Sequence, residues 1–266
     1  MREYKIAAIP ADGIGPEVIA AGLQVLEALE QRSGDFRIHS ETFDWGSDYY
    51  KKHGVMMPAD GLENLKKFDA IFFGAVGAPD VPDHITLWGL RLPICQGFDQ
   101  YANVRPTKIL PGITPPLRNC GPGDLDWVIV RENSEGEYSG HGGRAHRGLP
   151  EEVGTEVAIF TRVGVTRIMR YAFKLAQERP RKSMFEPIHG SAFDITGKGI
   201  ANPIATFWTA AQMLEHLGER EAAARLMSAV ERVTEAGILT PDVGGTANTK
   251  QVTDAVCNAI AGSNII

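Results

Sequence analysis

The hydrophobic residues of this chain occur in short apolar runs, which alternate with segments in which they recur at helical spacing. The run at residues 5–10 predicts a buried strand, and apolar positions three or four apart from Val18 onwards predict a helix that ends near Gly34. Further strands are predicted at 36–43 and 70–77. This order predicts an α/β fold with a largely parallel sheet that is covered by helices.

The second half of the chain continues the alternation with one break. Strands are predicted at 127–132 and 156–161, and a helix at 161–178. A strand should follow that helix, but residues 183–190 already have the composition of a functional loop. Three more helices complete the pattern, at 203–217, 219–236 and 250–260.

A proline-rich stretch from Arg105 to Pro122 is typical of a connection between domains. We therefore expect a discontinuous nucleotide-binding domain formed by residues 1–104 and 183–266. A reduced second domain at residues 105–182 would carry contacts to the substrate and to a second subunit.

Composition and charge narrow the possible functions. The 266 residues include 27 basic and 33 acidic ones, a net charge of −6, and no lysine or arginine run that could follow a phosphate backbone, so nucleic acid is not an expected partner. The longest apolar runs fall far short of the roughly 20 residues that span a bilayer, so no membrane-spanning segment and no membrane partner are expected. Three cysteines without CxxC spacing suggest neither disulfides nor a zinc site. A chain without disulfides is expected in the reducing cytoplasm.

Two arginines and a tyrosine form the first candidate site. Arg105 and Arg131 carry guanidinium forks, which bind carboxylates through paired hydrogen bonds and so suit a dicarboxylic substrate. The alternative is that both arginines form solvated surface ion pairs. Tyr138 follows in a polar stretch that we interpret as a loop, where a phenol could act as a general acid or pack over a hairpin.

Two glycine-containing segments are candidates for nucleotide binding. The turn at residues 12–17 could present backbone amides to a phosphate, but it lacks the third glycine of a dinucleotide fingerprint and is also consistent with an ordinary βα turn. The stretch at 185–203 combines glycines, a histidine, a carboxylate and an asparagine before a proline-opened helix, which suits an adenosine diphosphate group. His141 and His146 lack a third ligand at metal-binding spacing, which favours solvated loop residues over a metal site.

Taken together, these motifs resemble the isocitrate and isopropylmalate dehydrogenase family, which includes the tartrate and D-malate dehydrogenases. The matching segments, in family order, are IPADGIGPEV, FGAVGAPD, DQYANVRP, VRENSEGEY and FEPIHGSAFDITGKGIANP. The stretch PDHITLWG is similar to the tartrate and D-malate branch. The resemblance implies an isopropylmalate dehydrogenase-like two-domain fold and NAD-dependent oxidation and decarboxylation of tartrate or D-malate, with 3-isopropylmalate as the alternative substrate.

The resemblance also implies roles for individual residues. Arg105 and Arg131 would hold the substrate carboxylates, and Tyr138 would give a proton to the enolate that remains after carbon dioxide leaves. A carboxylate at Asp194 would accept hydrogen bonds from ribose hydroxyls and favour NAD over NADP. A Mn²⁺ or Mg²⁺ ion and a homodimer are also expected. Adenosine binding is assigned to Glu186, His189, Gly190, Ser191, Ala192, Asp194 and Asn202.

Two departures from the family pattern bear on activity. Near Lys182 the chain lacks the expected strand and, by the resemblance, roughly a hundred residues that include the catalytic lysine, the metal-binding aspartates and helices of the dimer interface. Cys95 stands where the family has another substrate arginine. Arg91 is a candidate replacement, although Pro93 argues against a regular helix there.

Three interpretations of the chain therefore remain open. It is a dehydrogenase with weak activity, or a non-catalytic remnant with an impaired dimer interface that binds NAD or an intact homologue, or a sequence that omits residues of the real polypeptide.

Overall fold

The computed structural model describes residues 1–178 and 192–262, and the chain forms two compact units. Unit 1 consists of Met1–Arg91, Lys108–Leu125 and the described residues from 192 onwards. Unit 2 consists of Leu92–Thr107 and the described residues from 126 to 178. Strands and helices alternate up to β3, and the three strands there form a parallel sheet, so the predicted α/β class is confirmed.

A parallel sheet of three strands, in the order β2-β1-β3, is the centre of unit 1. Its strands are β1 (Arg2–Ala11), β2 (Phe36–Thr42) and β3 (Ala70–Ala75). All three were predicted as strands. β1 and β3 contain apolar runs, as expected of strands that helices cover, whereas β2 is polar and mostly exposed after Phe36.

Helices connect and cover the strands. The described α-helices are α1 (Gly15–Ser33), α2 (Ser47–His53), α3 (Gly61–Leu65), α4 (Asp83–Thr86), α5 (Leu92–Gly97), α6 (Arg162–Glu178), α7 (Ile204–His216), α8 (Arg220–Glu235) and α9 (Thr249–Ala261). A π-helical turn lies at Leu87–Arg91 and a 3₁₀ turn at Pro241–Val243. Glycine at position 34, with φ of 69°, ends α1 in the left-handed conformation that favours this residue.

The core of unit 1 lies between one face of the sheet and the helices α1, α7, α8 and α9. Val18, Val25 and Leu29 follow the helical spacing of α1 and are fully buried or nearly so. Each such side chain contributes about 1.5–3 kcal/mol when it leaves water. Gly15 allows the first turn of α1 to approach β1, since a Cβ atom there would lie 1.9 Å from the carbonyl oxygen of Pro10.

Unit 2 contains two separate strand pairs. Strand β4 (Ala102–Lys108) pairs with β5 (Asp126–Glu132), and β6 (Gly136–Ala145) pairs antiparallel with β7 (Val153–Ile159). The stretch from Arg105 to Pro122 was interpreted as an interdomain connection; its first residues belong to β4, and a boundary between the two units falls between Thr107 and Lys108. Pro106 is compatible with β4 because β4 pairs with a single described strand.

The segment around Pro93 also differs from expectation. Pro93 was expected to disrupt a helix, yet it is the second residue of α5. The π-helical turn at Leu87–Arg91 directly precedes it. A π-turn changes the regular backbone bonding at the point where a proline ring would otherwise clash, so the helical conformation can continue.

Candidate active site

Arg131 and Tyr138 are in contact in unit 2. The Nη2 of Arg131, on β5, donates a hydrogen bond to the Tyr138 hydroxyl, and its Cζ lies 4.7 Å from the centroid of the Tyr138 ring. Both side chains are half-buried. The structure therefore brings together a cation suited to a carboxylate and a phenol suited to proton transfer.

Tyr138 lies on a strand and not in the polar loop that was expected. Strand β6 contains several glycines and polar residues, so its sequence lacks an apolar run, and its pairing with β7 determines its conformation. Gln96 donates a hydrogen bond to the backbone oxygen of Tyr138 at 3.1 Å. This placement fixes the backbone that carries the phenol.

Arg105 lies on β4, the strand that pairs with the strand of Arg131. It is half-buried, and its Nε donates a hydrogen bond to Oδ1 of Asn103 at 3.2 Å. Two of the predicted arginines thus belong to neighbouring strands of the same sheet.

The loop between β5 and β6 is held by its own carboxylates. Glu132 accepts hydrogen bonds from the amides of Ser134 and Glu135, at 2.9 and 2.6 Å. Glu135 accepts from the hydroxyl of Thr161 at 2.6 Å and from its amide at 2.8 Å. These two bonds, together with the positive charge of Arg167, hold the pKa of Glu135 below its ordinary value.

Arg167, on α6, is a residue of this region that the sequence pattern did not indicate. It contacts both the segment before β4 and the loop after β5. Its position on an amphipathic helix does not distinguish it from the exposed arginines of the same helix. The only available signal was that its partner, Asp99, opens the DQYANVRP motif.

In unit 1, the glycine-containing turn after β1 is anchored by a buried carboxylate. Asp12 is 6% exposed and accepts hydrogen bonds from the amide and the hydroxyl of Ser47, both at 2.7 Å, and from the amide of Gly77 at 2.8 Å. Glu17 accepts from the amide of Ala201 at 3.2 Å. These side chains connect the turn to three segments: the one after β2, the one after β3, and the one that leads to α7.

Part of the predicted adenosine site can be described. Glu186, His189, Gly190 and Ser191 lie outside the described residues. The side chain of Ala192 packs with Ile195 against a small buried cluster formed by Ile14, Val18 and Ala201. The loop that begins at residue 192 therefore lies beside the first turns of α1.

Asp194 and Asn202 are the polar members of this loop. The carboxylate of Asp194 is exposed. Asn202 accepts a hydrogen bond from the amide of Ile204, the first residue of α7, and donates one to Asp242, both at 3.0 Å. An exposed carboxylate beside glycines with open space around them, Gly197 and Gly199, has the chemistry required to accept hydrogen bonds from ribose hydroxyls.

The remaining candidates have different surroundings. Arg91 is half-buried at the end of the π-helical turn in unit 1, and Cys95 is buried in α5. His141 is exposed, and its Nδ1 lies 2.8 Å from the backbone oxygen of Ser139.

Within residues 1–178 and 192–262, no three histidine, cysteine, aspartate or glutamate side chains come together as a possible metal site. No helix in these ranges has the length and apolarity needed to cross a membrane.

Known proteins are similar to this chain in sequence and in fold. A sequence profile described as isocitrate/isopropylmalate dehydrogenase matches residues 5–184 and 181–256. A probable tartrate dehydrogenase/decarboxylase from Agrobacterium vitis is 72% identical, and all of both chains is covered. A D-malate dehydrogenase (decarboxylating) from Escherichia coli is 40% identical, covering 98% of this chain and 99% of that one.

Among solved structures, an isocitrate dehydrogenase from Methylococcus capsulatus superposes with a TM-score of 0.81 at 26% identity. The match covers 97% of this chain and 99% of that one. The alignment with the Agrobacterium vitis protein runs over 358 positions, whereas this chain has 266 residues, a difference of 92 positions.

Proposed function

Because the chain belongs to the isocitrate/isopropylmalate dehydrogenase family, we propose that it acts on tartrate or D-malate by NAD-dependent oxidation and decarboxylation. The observation that carries the proposal is the contact between Arg131 and Tyr138, with Arg105 on the adjacent strand. The similarity to relatives named for tartrate and D-malate supports these substrates over 3-isopropylmalate.

Side chains of unit 2 suit two steps of this reaction, the binding of the substrate and the final proton transfer. Arg105 and Arg131 bind the substrate carboxylates through charge-assisted hydrogen bonds. Tyr138 gives a proton to the carbon from which carbon dioxide has departed. Because Arg131 donates a hydrogen bond to the Tyr138 oxygen, a positive charge lies beside the negative charge that develops there as the proton leaves.

The proposed cofactor is NAD, which would supply the acceptor for a hydride from the substrate C2 carbon. Asp194 would accept hydrogen bonds from the ribose hydroxyls and repel the 2′-phosphate of NADP. Asn202 and Ala192 would line the adenosine group. Among the described residues, no three histidine, cysteine, aspartate or glutamate side chains come together as ligands for the Mn²⁺ or Mg²⁺ ion that the resemblance implies.

A second candidate function is the binding of NAD and a diacid without turnover. The difference of 92 positions from the Agrobacterium vitis protein favours it. By the resemblance, the segment that is absent near Lys182 would supply the lysine base and the metal-binding aspartates. A homodimer of this chain would lack them in both subunits, so turnover would be very weak or absent.

One experiment separates these proposals. The purified chain, with an intact mass of 28.9 kDa, is incubated with NAD, Mn²⁺ and tartrate, D-malate or 3-isopropylmalate, with NADP in parallel. NADH formed from tartrate or D-malate supports the dehydrogenase. Binding of NAD and a diacid by calorimetry without NADH formation supports the second candidate. If neither turnover nor binding is observed with a folded chain, both are wrong.

We also propose that the chain associates with a second copy through unit 2. Several large apolar side chains of this unit are exposed, among them Trp127 at 57%, Val163 at 72% and Phe173 at 67%. Exposed apolar surfaces of this kind are typical of protein interfaces. Light scattering of the purified chain should give a mass above that of one subunit, and a stable monomer would contradict this proposal.

A further inference from the structure

We propose that Arg167 is a positioning residue for the diacid site, a role that rests on the proposed function. Arg167 lies on α6 and does not belong to any of the motifs that indicated the site. Its guanidinium binds two segments of unit 2, one that leads to Arg105 and one that joins Arg131 to Tyr138.

The first segment immediately precedes β4. Nη1 of Arg167 donates a hydrogen bond to Oδ1 of Asp99 at 2.7 Å, and its Cζ lies 4.5 Å from the centroid of the Tyr101 ring. Asp99 has a φ of 50°, a left-handed conformation that is costly for a residue with a side chain. Tyr171, one turn along α6, contacts the edge of the Tyr101 ring. Helix α6 thus holds this segment through three side-chain contacts, directly before the strand that carries Arg105.

The second segment is the loop between β5 and β6. Nη2 of Arg167 donates a hydrogen bond to the Ser134 hydroxyl at 2.8 Å, and that hydroxyl donates in turn to Glu132 at 2.6 Å. Ser134 lies between Arg131 and Tyr138 in the sequence. The bond therefore restrains the loop whose two ends carry the cation and the phenol.

The start of α6 restrains the same loop a second time. Glu135 reaches the amide and the hydroxyl of Thr161, and Gly164 provides the space, because a Cβ atom at that position would lie 2.2 Å from the Glu135 carboxylate. The two segments also meet directly, since Asn133 donates from its amide to the Tyr101 carbonyl at 2.9 Å. Arg167 is thus part of a polar network around a direct contact between the segments.

The geometry of Arg167 requires a guanidinium and not merely a positive charge. Its two terminal nitrogens serve different segments, while its Nε is buried without a hydrogen-bond partner among the described residues. A lysine ammonium is a single point on a flexible stem and cannot reproduce a planar fork. Because both terminal nitrogens are engaged by the protein, Arg167 acts on the diacid through Arg105, Arg131 and Tyr138.

The test compares R167M and R167K with R170M, in which an exposed arginine three residues along the same helix is replaced. Dissociation constants for D-malate or tartrate, and for NAD, are measured by calorimetry. We expect R167M and R167K to weaken diacid binding by at least about tenfold, with unchanged NAD affinity, and R170M to resemble the original chain. A diacid affinity that R167M leaves unchanged, or that falls together with the NAD affinity, overturns the proposal.

Amide hydrogen exchange in residues 99–105 and 131–138 gives a readout that needs no ligand. Faster exchange in both segments of R167M, but not of R170M, supports the positioning role, and unchanged exchange overturns it. If the original chain binds no diacid, the proposed function fails, whereas the exchange result still decides whether Arg167 holds the two segments together.

Discussion

The guanidinium of Arg131 contacts Tyr138 in two ways, through a hydrogen bond to the hydroxyl and through the face of the ring, 4.7 Å from its centroid. Replacing Tyr138 by phenylalanine removes the first contact and keeps the second. Because the proposed role of Tyr138 is proton transfer and that of Arg131 is binding, the two residues should respond differently to substitution.

We expect Y138F to retain diacid binding, while R131M weakens it by at least about tenfold, because a charge-assisted hydrogen bond is lost. Where the original chain forms NADH, Y138F should lower turnover by about a hundredfold or more, the usual contribution of a general acid. Calorimetry and steady-state kinetics measure the two effects. A loss of diacid affinity in Y138F as large as that in R131M would show that Tyr138 has a binding role.

Replacing Asp12 by asparagine should destabilise unit 1. The carboxylate of Asp12 is buried and accepts three hydrogen bonds, and an amide nitrogen in its place would face donors. A buried polar group without a partner costs about 1–3 kcal/mol. The matched control is D48N, because the Asp48 side chain is 88% exposed. Thermal unfolding should show a lower melting temperature for D12N only, and equal melting of the two variants would contradict the structural role of Asp12.

The hydrogen bonds to Glu135 predict a pH dependence of stability. Because they hold its pKa below the ordinary value of 4.5, the charged form stabilises the folded state above that pH, and the stabilisation is lost as the pH falls through the lowered pKa. The stability difference between the original chain and E135Q should therefore be largest near neutral pH and shrink in acid. T161V, which removes the hydroxyl donor, should reduce the effect. A difference that is constant with pH would refute this assignment.

Cys257 should be unreactive at ordinary pH. Burial on α9, with the nearby carboxylates of Asp254 and Glu27, raises the pKa of its thiol to about 11. Only about one thiol in a thousand is then ionised at pH 8, and the thiolate is the nucleophile. Alkylation by iodoacetamide, followed by peptide mass spectrometry, should be much slower at Cys257 in the folded chain than in urea. Equal rates in the two conditions would show that the thiol is not buried.

Much of unit 1 could be predicted from sequence because two of its strands, β1 and β3, contain apolar runs. These runs have the composition of strands covered by helices, and α1 shows helical spacing throughout. Strand β6 was missed because it is rich in glycine and polar residues, and only its partner β7 makes it a strand. β7 begins only eight residues after β6 ends, but a strand without an apolar run gives no signal in the sequence that it pairs with its neighbour.

In the candidate site, too, the sequence indicated some residues and only the structure revealed another. Arg105, Arg131 and Tyr138 were identified because their motifs resemble those of a known family. Arg167 was not identified, because its proposed role depends on contacts with Asp99 and Ser134, which only the folded chain brings near α6.

Titration of the purified chain with D-malate and tartrate, in the presence of Mn²⁺ and NADH, tests the central claim most directly. The account predicts saturable binding of at least one of these diacids, weakened by R131M and absent for a monocarboxylic acid of similar size. A chain that unfolds cooperatively on heating but binds neither diacid would contradict it.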